Sequence, residues 1–271
     1  MEKTLLLVGL GVLGLVFGSF ANVVIWRFPR GESLSSPPSH CPACDHPIRW
    51  RDNVPVISWL ILRGRCRDCG EPISVRYPLV ELGSGALWVL AGATYGASAR
   101  TPTAIALFYL LLILSLIDLD TMRLPNRLVA VLAGLGGGAL LIAQFGIADA
   151  APLTPTEWSP LVAGLVGAAL GGGVSLGIAT LYAALRKMSG FGMGDVKLLG
   201  ALGLYFGPYV LMTLFVASLV GAVVGLALAG SSRESLRTKK IPFGPMLALG
   251  AVFTATAGPA LWGWYVGLVG I

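Results

Sequence analysis

Charge is scarce in this 271-residue chain: Asp, Glu, Lys and Arg make up 12%, about half the roughly 25% of an average soluble domain. That shortage excludes a soluble globular enzyme and a highly charged disordered tail. Cysteine occurs four times and histidine twice, too few for a secreted disulfide scaffold. What fills the chain is apolar: 55% of residues are hydrophobic, mean hydropathy is +0.80, and 37 residues are glycine. Apolar runs near the length of a bilayer crossing recur, so the fold class is an all-α polytopic membrane protein. The net charge of +6 is not a nucleic-acid signal, because in such a protein the placement of Lys and Arg matters more than their sum.

The runs cover 4–25, 79–96, 102–117, 128–145, 160–185, 196–229 and 242–269. At about 1.5 Å per residue and a core of about 30 Å, the run 196–229 is too long for one straight span. Gly207-Pro208 breaks it, since proline cannot continue the helical hydrogen-bond ladder. The cations fall into four groups: Arg27 to Arg76 in the one long polar segment, Arg123 with Arg127, Arg186 and Lys187 near Lys197, and Arg233, Arg237, Lys239 and Lys240. Only Lys3 and Arg100 are left over. Positive loops favour the cytoplasm, so an even number of crossings separates neighbouring groups, which gives about eight spans. Asp149 and Glu157 then fall in an outside loop, and the first run is read as a retained span. The expected domains are 1–27, the first span; 28–77, a cytoplasmic four-cysteine domain; and 78–271, a membrane-embedded domain. The many glycines and alanines within the spans read as close helix packing, and no internal repeat is obvious.

All four cysteines lie in 28–77, as Cys41-Pro-Ala-Cys44 and Cys66-Arg-Asp-Cys69 with 21 residues between the pairs. Two C-x2-C turns at this separation are close to zinc-ribbon spacing, each turn presenting two sulfurs to one tetrahedral ion. A cytoplasmic location argues against disulfides. A segment of some 50 residues has little core, so a metal clip has a clear stabilising role. His40 and His46 flank the first pair and read as surface residues.

Acids are few in the second half, so their positions carry information. Asp118 and Asp120 end the third run, and Asp195 opens the sixth span in Gly192-Met-Gly194-Asp195-Val-Lys197. Both places lie at the same expected depth, the cytoplasmic membrane edge. Asp118 and Asp120 could pair with Arg123 and Arg127, and Asp195 could be a helix N-cap. Together they suit a paired-carboxylate site, where one group acts as base on a water while its protonated partner polarises a carbonyl. Glycines beside Asp195 allow close approach of backbone or substrate.

These residues resemble the type IV prepilin peptidases, which belong to the GxGD intramembrane aspartic proteases. Gly18-Ser-Phe-Ala-Asn22-Val-Val-Ile-Trp-Arg27 is similar to the family's opening, and Cys41 to Glu81, with Asn53, Pro55, Ser58-Trp59-Leu60, Arg63 to Cys66 and Ser74 to Glu81, to its cysteine domain. Asp118 with Leu124-Pro125-Asn126, and Gly192 to Lys197, are similar to its two aspartate motifs. The resemblance implies an enzyme of the bacterial inner membrane with the cysteine domain and active site facing the cytoplasm. It would cut type 4 prepilins or pseudopilins after a glycine and methylate the new N-terminus with S-adenosylmethionine. It implies Asp118 and Asp195 as the catalytic pair, Gly192, Gly194, Lys197, Pro125 and Asn126 as support, and zinc on Cys41, Cys44, Cys66 and Cys69. Membrane lipid is the expected surround and nucleic acid is not an expected partner. A transporter and a non-catalytic pilin-binding scaffold are the competing readings; the position of the acids at span ends weighs against the first.

Overall fold

The computed structural model describes residues 1–186, 192–231 and 241–269. Lys187 and the basic group 233–240 lie outside them. The described residues form ten α-helices and no strand: α1 Glu2–Arg27, α2 Ile57–Ile61, α3 Arg76–Tyr95, α4 Arg100–Thr121, α5 Asn126–Gln144, α6 Pro160–Arg186, α7 Met193–Phe206, α8 Val210–Ser231, α9 Gly244–Thr256 and α10 Gly258–Val269. Helices dominate because lipid offers no partner to an unpaired backbone group. Five stretches are long and apolar enough to cross a membrane, with α7 and α8 counted as one, or six if the bent pair α9–α10 is one span. The expected count of about eight would need α3 added and α7 and α8 counted apart.

The chain divides into two compact units, Met1–Ala97 and Ser98–Ile271. In the first, α1 and α3 pack through small residues. A Cβ on Gly18 would lie 2.6 Å from the Glu81 Cα, and one on Gly14 would lie 2.8 Å from the Gly85 Cα. Between these helices runs the polar segment with the cysteines. Buried Arg27 closes its start, donating to the Ser33 and Pro37 carbonyls at 3.0 and 2.8 Å.

In the second unit α7 is the central helix, packed against α5, α6, α8 and α9. The α6 contact is backbone on backbone, with Gly167 against Gly203 and Gly171 against Leu199. Tyr205 packs over Gly136 of α5 and donates its hydroxyl to the Leu132 carbonyl at 2.7 Å. The expected break at Gly207-Pro208 is present, with Gly207 at a φ of +52° that suits glycine. It strands the last carbonyls of α7. The loop after α5 caps them: the Leu153 N–H donates to Tyr205 and the Thr154 hydroxyl to Phe206, at 2.7 and 2.8 Å.

That loop packs inward while its acids Asp149 and Glu157 stay exposed. Its residues Ala150, Ala151, Leu153 and Thr154 are buried, because they supply the caps a broken helix needs. It also explains Arg100, which the charge pattern left over: Arg100 pairs with Asp149 at 2.8 Å. The last run, 242–269, is not one straight helix, since α9 and α10 meet at an angle of 66°.

Candidate functional site

Asp118 sits in the last turn of α4, which ends where Met122 turns left-handed at a φ of +54°. The carboxylate is 5% exposed, and its partner is neither Arg123 nor Arg127. Its Oδ2 accepts the N–H of Gly244 at 2.9 Å. Gly244 is the first residue of α9, so an otherwise unpaired N–H at the positive end of a helix is aimed at the carboxylate. Sequence reasoning missed Gly244. Its signal was the Pro242-Phe-Gly-Pro245 opening of the final run, a helix start placed at the depth of the acids.

Asp195 is the third residue of α7, not its N-cap; the cap is Gly192. The carboxylate reaches back to the Gly192 N–H and lies close enough to Asp118 for the two charges to repel. Reaching from the third helical residue to the cap N–H closes the helix start in the manner of a capping box. Asp120 is exposed, so the structure separates the two acids of the α4 end that the sequence set side by side.

Three glycines crowd this place. A Cβ would stand 2.9 Å from the Asp195 Oδ2 on Gly192, 3.1 Å from the Leu124 Cβ on Gly194, and 2.8 Å from the Asp118 Oδ2 on Gly244. Pro125 is the N-cap of α5, and Asn126 follows it as the first helical residue. Lys197 donates its Nζ to the Asn126 Oδ1 at 2.9 Å, so it ties α7 to α5 instead of binding an acid. Two carboxylates, a helix N-terminus and a cramped glycine floor make an arrangement able to hold a water and a peptide carbonyl.

In the other unit, one ligand atom from each of Cys41, Cys44, Cys66 and Cys69 lies within 4.8 Å of every other. The Cys41 and Cys69 sulfurs are 3.8 Å apart, against about 3.8 Å for sulfurs at 2.3 Å from a tetrahedral zinc. The two turns are built alike. The Cys41 N–H donates to His46 and the Cys66 N–H to Glu71; Asp45 and Gly70, both at positive φ, return N–H bonds to Cys41 and Cys66. Isolated bridges join His40 to Pro47 and Arg65 to Pro72. This small internal repeat was not evident from the sequence. Backbone N–H groups of Cys69 and Asp68 hold the Cys66 thiol down to about 7. Cys69, although the Glu71 N–H favours its thiolate, is pushed up to about 12 by desolvation and the neighbouring sulfurs. Such crowding is relieved when a cation takes the four sulfurs.

Comparison with known proteins covers both units. Residues 12–95 match the bacterial peptidase A24 N-terminal domain, and residues 105–226, with both aspartates, match the type IV leader peptidase family. A prepilin leader peptidase/N-methyltransferase of Pseudomonas putida is 39% identical over 264 residues, covering 88% of this chain and 86% of that protein. One of Aeromonas hydrophila is 36% identical over 280 residues, covering 94% and 92%. A type 4 prepilin-like proteins leader peptide-processing enzyme of Escherichia coli O78:H11 is 37% identical over 266 residues, covering 89% and 90%. No solved structure matches.

Proposed function

The chain belongs to the type IV leader peptidase family, and we propose from its site that it cleaves prepilin leaders with Asp118 and Asp195 as the catalytic pair. The observation that carries the assignment is the Gly244 N–H on the Asp118 Oδ2, which fixes one buried carboxylate within charge range of the other. Carboxylates from α4 and α7 are thereby brought within range of each other's charge.

In the reaction one carboxylate takes a proton from water as the oxygen attacks the carbonyl carbon of the scissile peptide bond. The other, protonated, donates a hydrogen bond to the carbonyl oxygen. Collapse of the tetrahedral intermediate breaks the C–N bond and passes a proton to the leaving amine, which becomes the new N-terminus of the pilin. A Cβ on Gly192 or Gly244 would already touch an acid and one on Gly194 would touch Leu124, so the three glycines keep added side chains away from the carboxylates. The Lys197–Asn126 bond holds the start of α7 against α5 and so positions Asp195.

The site faces the cytoplasm in this reading, together with 28–77 as a domain and the membrane-embedded remainder. The four sulfurs fit a zinc ion, which would clip 28–77 together and take no part in hydrolysis. Two of the named relatives are called N-methyltransferases as well as leader peptidases, so the second activity read here is N-methylation of the new terminus, with S-adenosylmethionine as donor. A cavity of about 230 Å³ lies beside Arg51, Asp52, Ser58, Ile61, Leu62 and Arg67. Its carboxylate, Asp52, is already taken by the Arg67 Nε and Nη2 at 2.6 to 3.0 Å, so these residues do not fit the donor. No step is therefore routed through it. Incubating the purified chain with a prepilin-like peptide tests the reading: leader loss supports it, and an intact peptide contradicts it. A mass gain of one methyl on the product reports the second activity.

A further inference from the structure

The four-cysteine segment carries an apolar face that its own fold leaves uncovered. On α2, Ile57, Leu60 and Ile61 lie on one side and are 56%, 61% and 69% exposed. Ser58, pointing the other way, is buried between the Arg51 carbonyl and the Val54 N–H, each at 2.9 Å. Trp50, nearby in the chain, is 85% exposed.

A buried hydrogen bond fixes the height of this face. The Val56 N–H donates to the Glu81 Oε2 at 2.7 Å, and α2 begins at the next residue. Val56 has a φ of +61°, a conformation unfavourable for a β-branched residue that persists where surrounding bonds over-determine it. Glu81 is the sixth residue of α3, roughly 7.5 Å beyond the start of that helix. At this level α3 exposes Leu79 and Leu82, and α1 exposes Phe20. The exposed apolar face of α2 is thus tied near the start of α3.

The five cations between residues 49 and 67 divide into two kinds. Arg49 and Arg67 pair with Asp68 and Asp52 at 3.0 and 2.6 Å. Arg51, Arg63 and Arg65 are exposed and, among the described residues, have no acidic partner. Exposed apolar side chains and an exposed Trp, close in the chain to guanidinium groups without acidic partners, are the chemistry of an interfacial anchor on anionic lipid. We infer that α2 and Trp50 seat the four-cysteine segment in the headgroup boundary of the leaflet it meets, with Arg51, Arg63 and Arg65 on anionic phospholipid headgroups.

The test uses the full-length chain in nanodiscs of equal phosphatidylcholine and phosphatidylglycerol. Leu60 is replaced by p-benzoylphenylalanine, the sample is irradiated, and adducts are identified by mass spectrometry. Lipid adducts are expected, with phosphatidylglycerol in excess. Replacing Arg51, Arg63 and Arg65 by Gln should bring that excess toward one, since each cation near an anionic surface is worth about fivefold in partitioning. Adducts to protein in place of lipid, or lipid adducts without a phosphatidylglycerol preference, would overturn the inference. Hydrogen exchange of the unaltered chain is a second reading. Amides 57–65 should exchange more slowly in the mixed nanodiscs than in phosphatidylcholine alone, and equal rates would count against it.

Discussion

Replacing Gly244 by Ala probes the contact on which the site depends. A Cβ there would stand 2.8 Å from the Asp118 Oδ2 and 3.2 Å from its Cβ and Cγ. Ordinary contact begins near 3.4 Å, so the carboxylate or the start of α9 must give by about 0.6 Å. Either movement stretches the 2.9 Å bond from the Gly244 N–H. A hydrogen bond to a charged group is worth roughly 1.5–3 kcal/mol, so its loss in the transition state would lower kcat between about 10- and 150-fold. Stability should fall as well, because the same bond is present in the folded ground state and helix propensity returns at most about 0.5–1 kcal/mol. The assay is leader cleavage of a prepilin-like peptide at saturating concentration, with thermal unfolding measured alongside. Gly138→Ala is the control, since nothing lies within 4 Å of a Cβ there. Unchanged kcat in Gly244→Ala would refute the claim that this N–H orients the catalytic carboxylate.

Metal analysis of the purified chain should give about one zinc per chain, and Cys41→Ser or Cys66→Ser should lower that content; four freely titratable thiols and no metal would contradict the fit. Thr154→Val removes the cap on the Phe206 carbonyl, and leaving that buried group unpaired should cost about 1–3 kcal/mol in a denaturation measurement. Lys197→Met should leave the protein folded and slow cleavage less than either aspartate variant does, because its partner is Asn126 and not an acid. A cysteine probe at Ser235, outside the described residues, should resist labelling from the periplasmic side if the basic loops are cytoplasmic.

The membrane class, the helix break at Gly207 and the cysteine cluster were legible because each rests on local chemistry: apolar runs, a Gly-Pro pair, two C-x2-C turns. The span ends were harder to read. The fold of 145–159 against α7 depends on caps that a broken helix needs 50 residues away, and no local pattern announces them. Arg100 looked anomalous until Asp149 stood beside it, a pairing across 49 residues. Asp118 and Asp195 were visible as rare acids at one depth, but which of Asp118 and Asp120 is buried is settled by the rotation of α4, about 200° over two residues. Gly244 stayed hidden because its part is played by a backbone N–H, which every residue except proline has, and only its place 126 residues from Asp118 gives it meaning.

The central claim is that Asp118 and Asp195 form one catalytic unit. Asp118→Asn, Asp195→Asn and the double variant, each checked for membrane insertion and metal content, should lose leader cleavage to about the same extent, because groups that act together are not additive. Asp120→Asn, altering the exposed neighbour, should retain most activity. Cleavage at the normal rate in both Asp118→Asn and Asp195→Asn would contradict the assignment. So would an inactive Asp120→Asn beside an active Asp118→Asn.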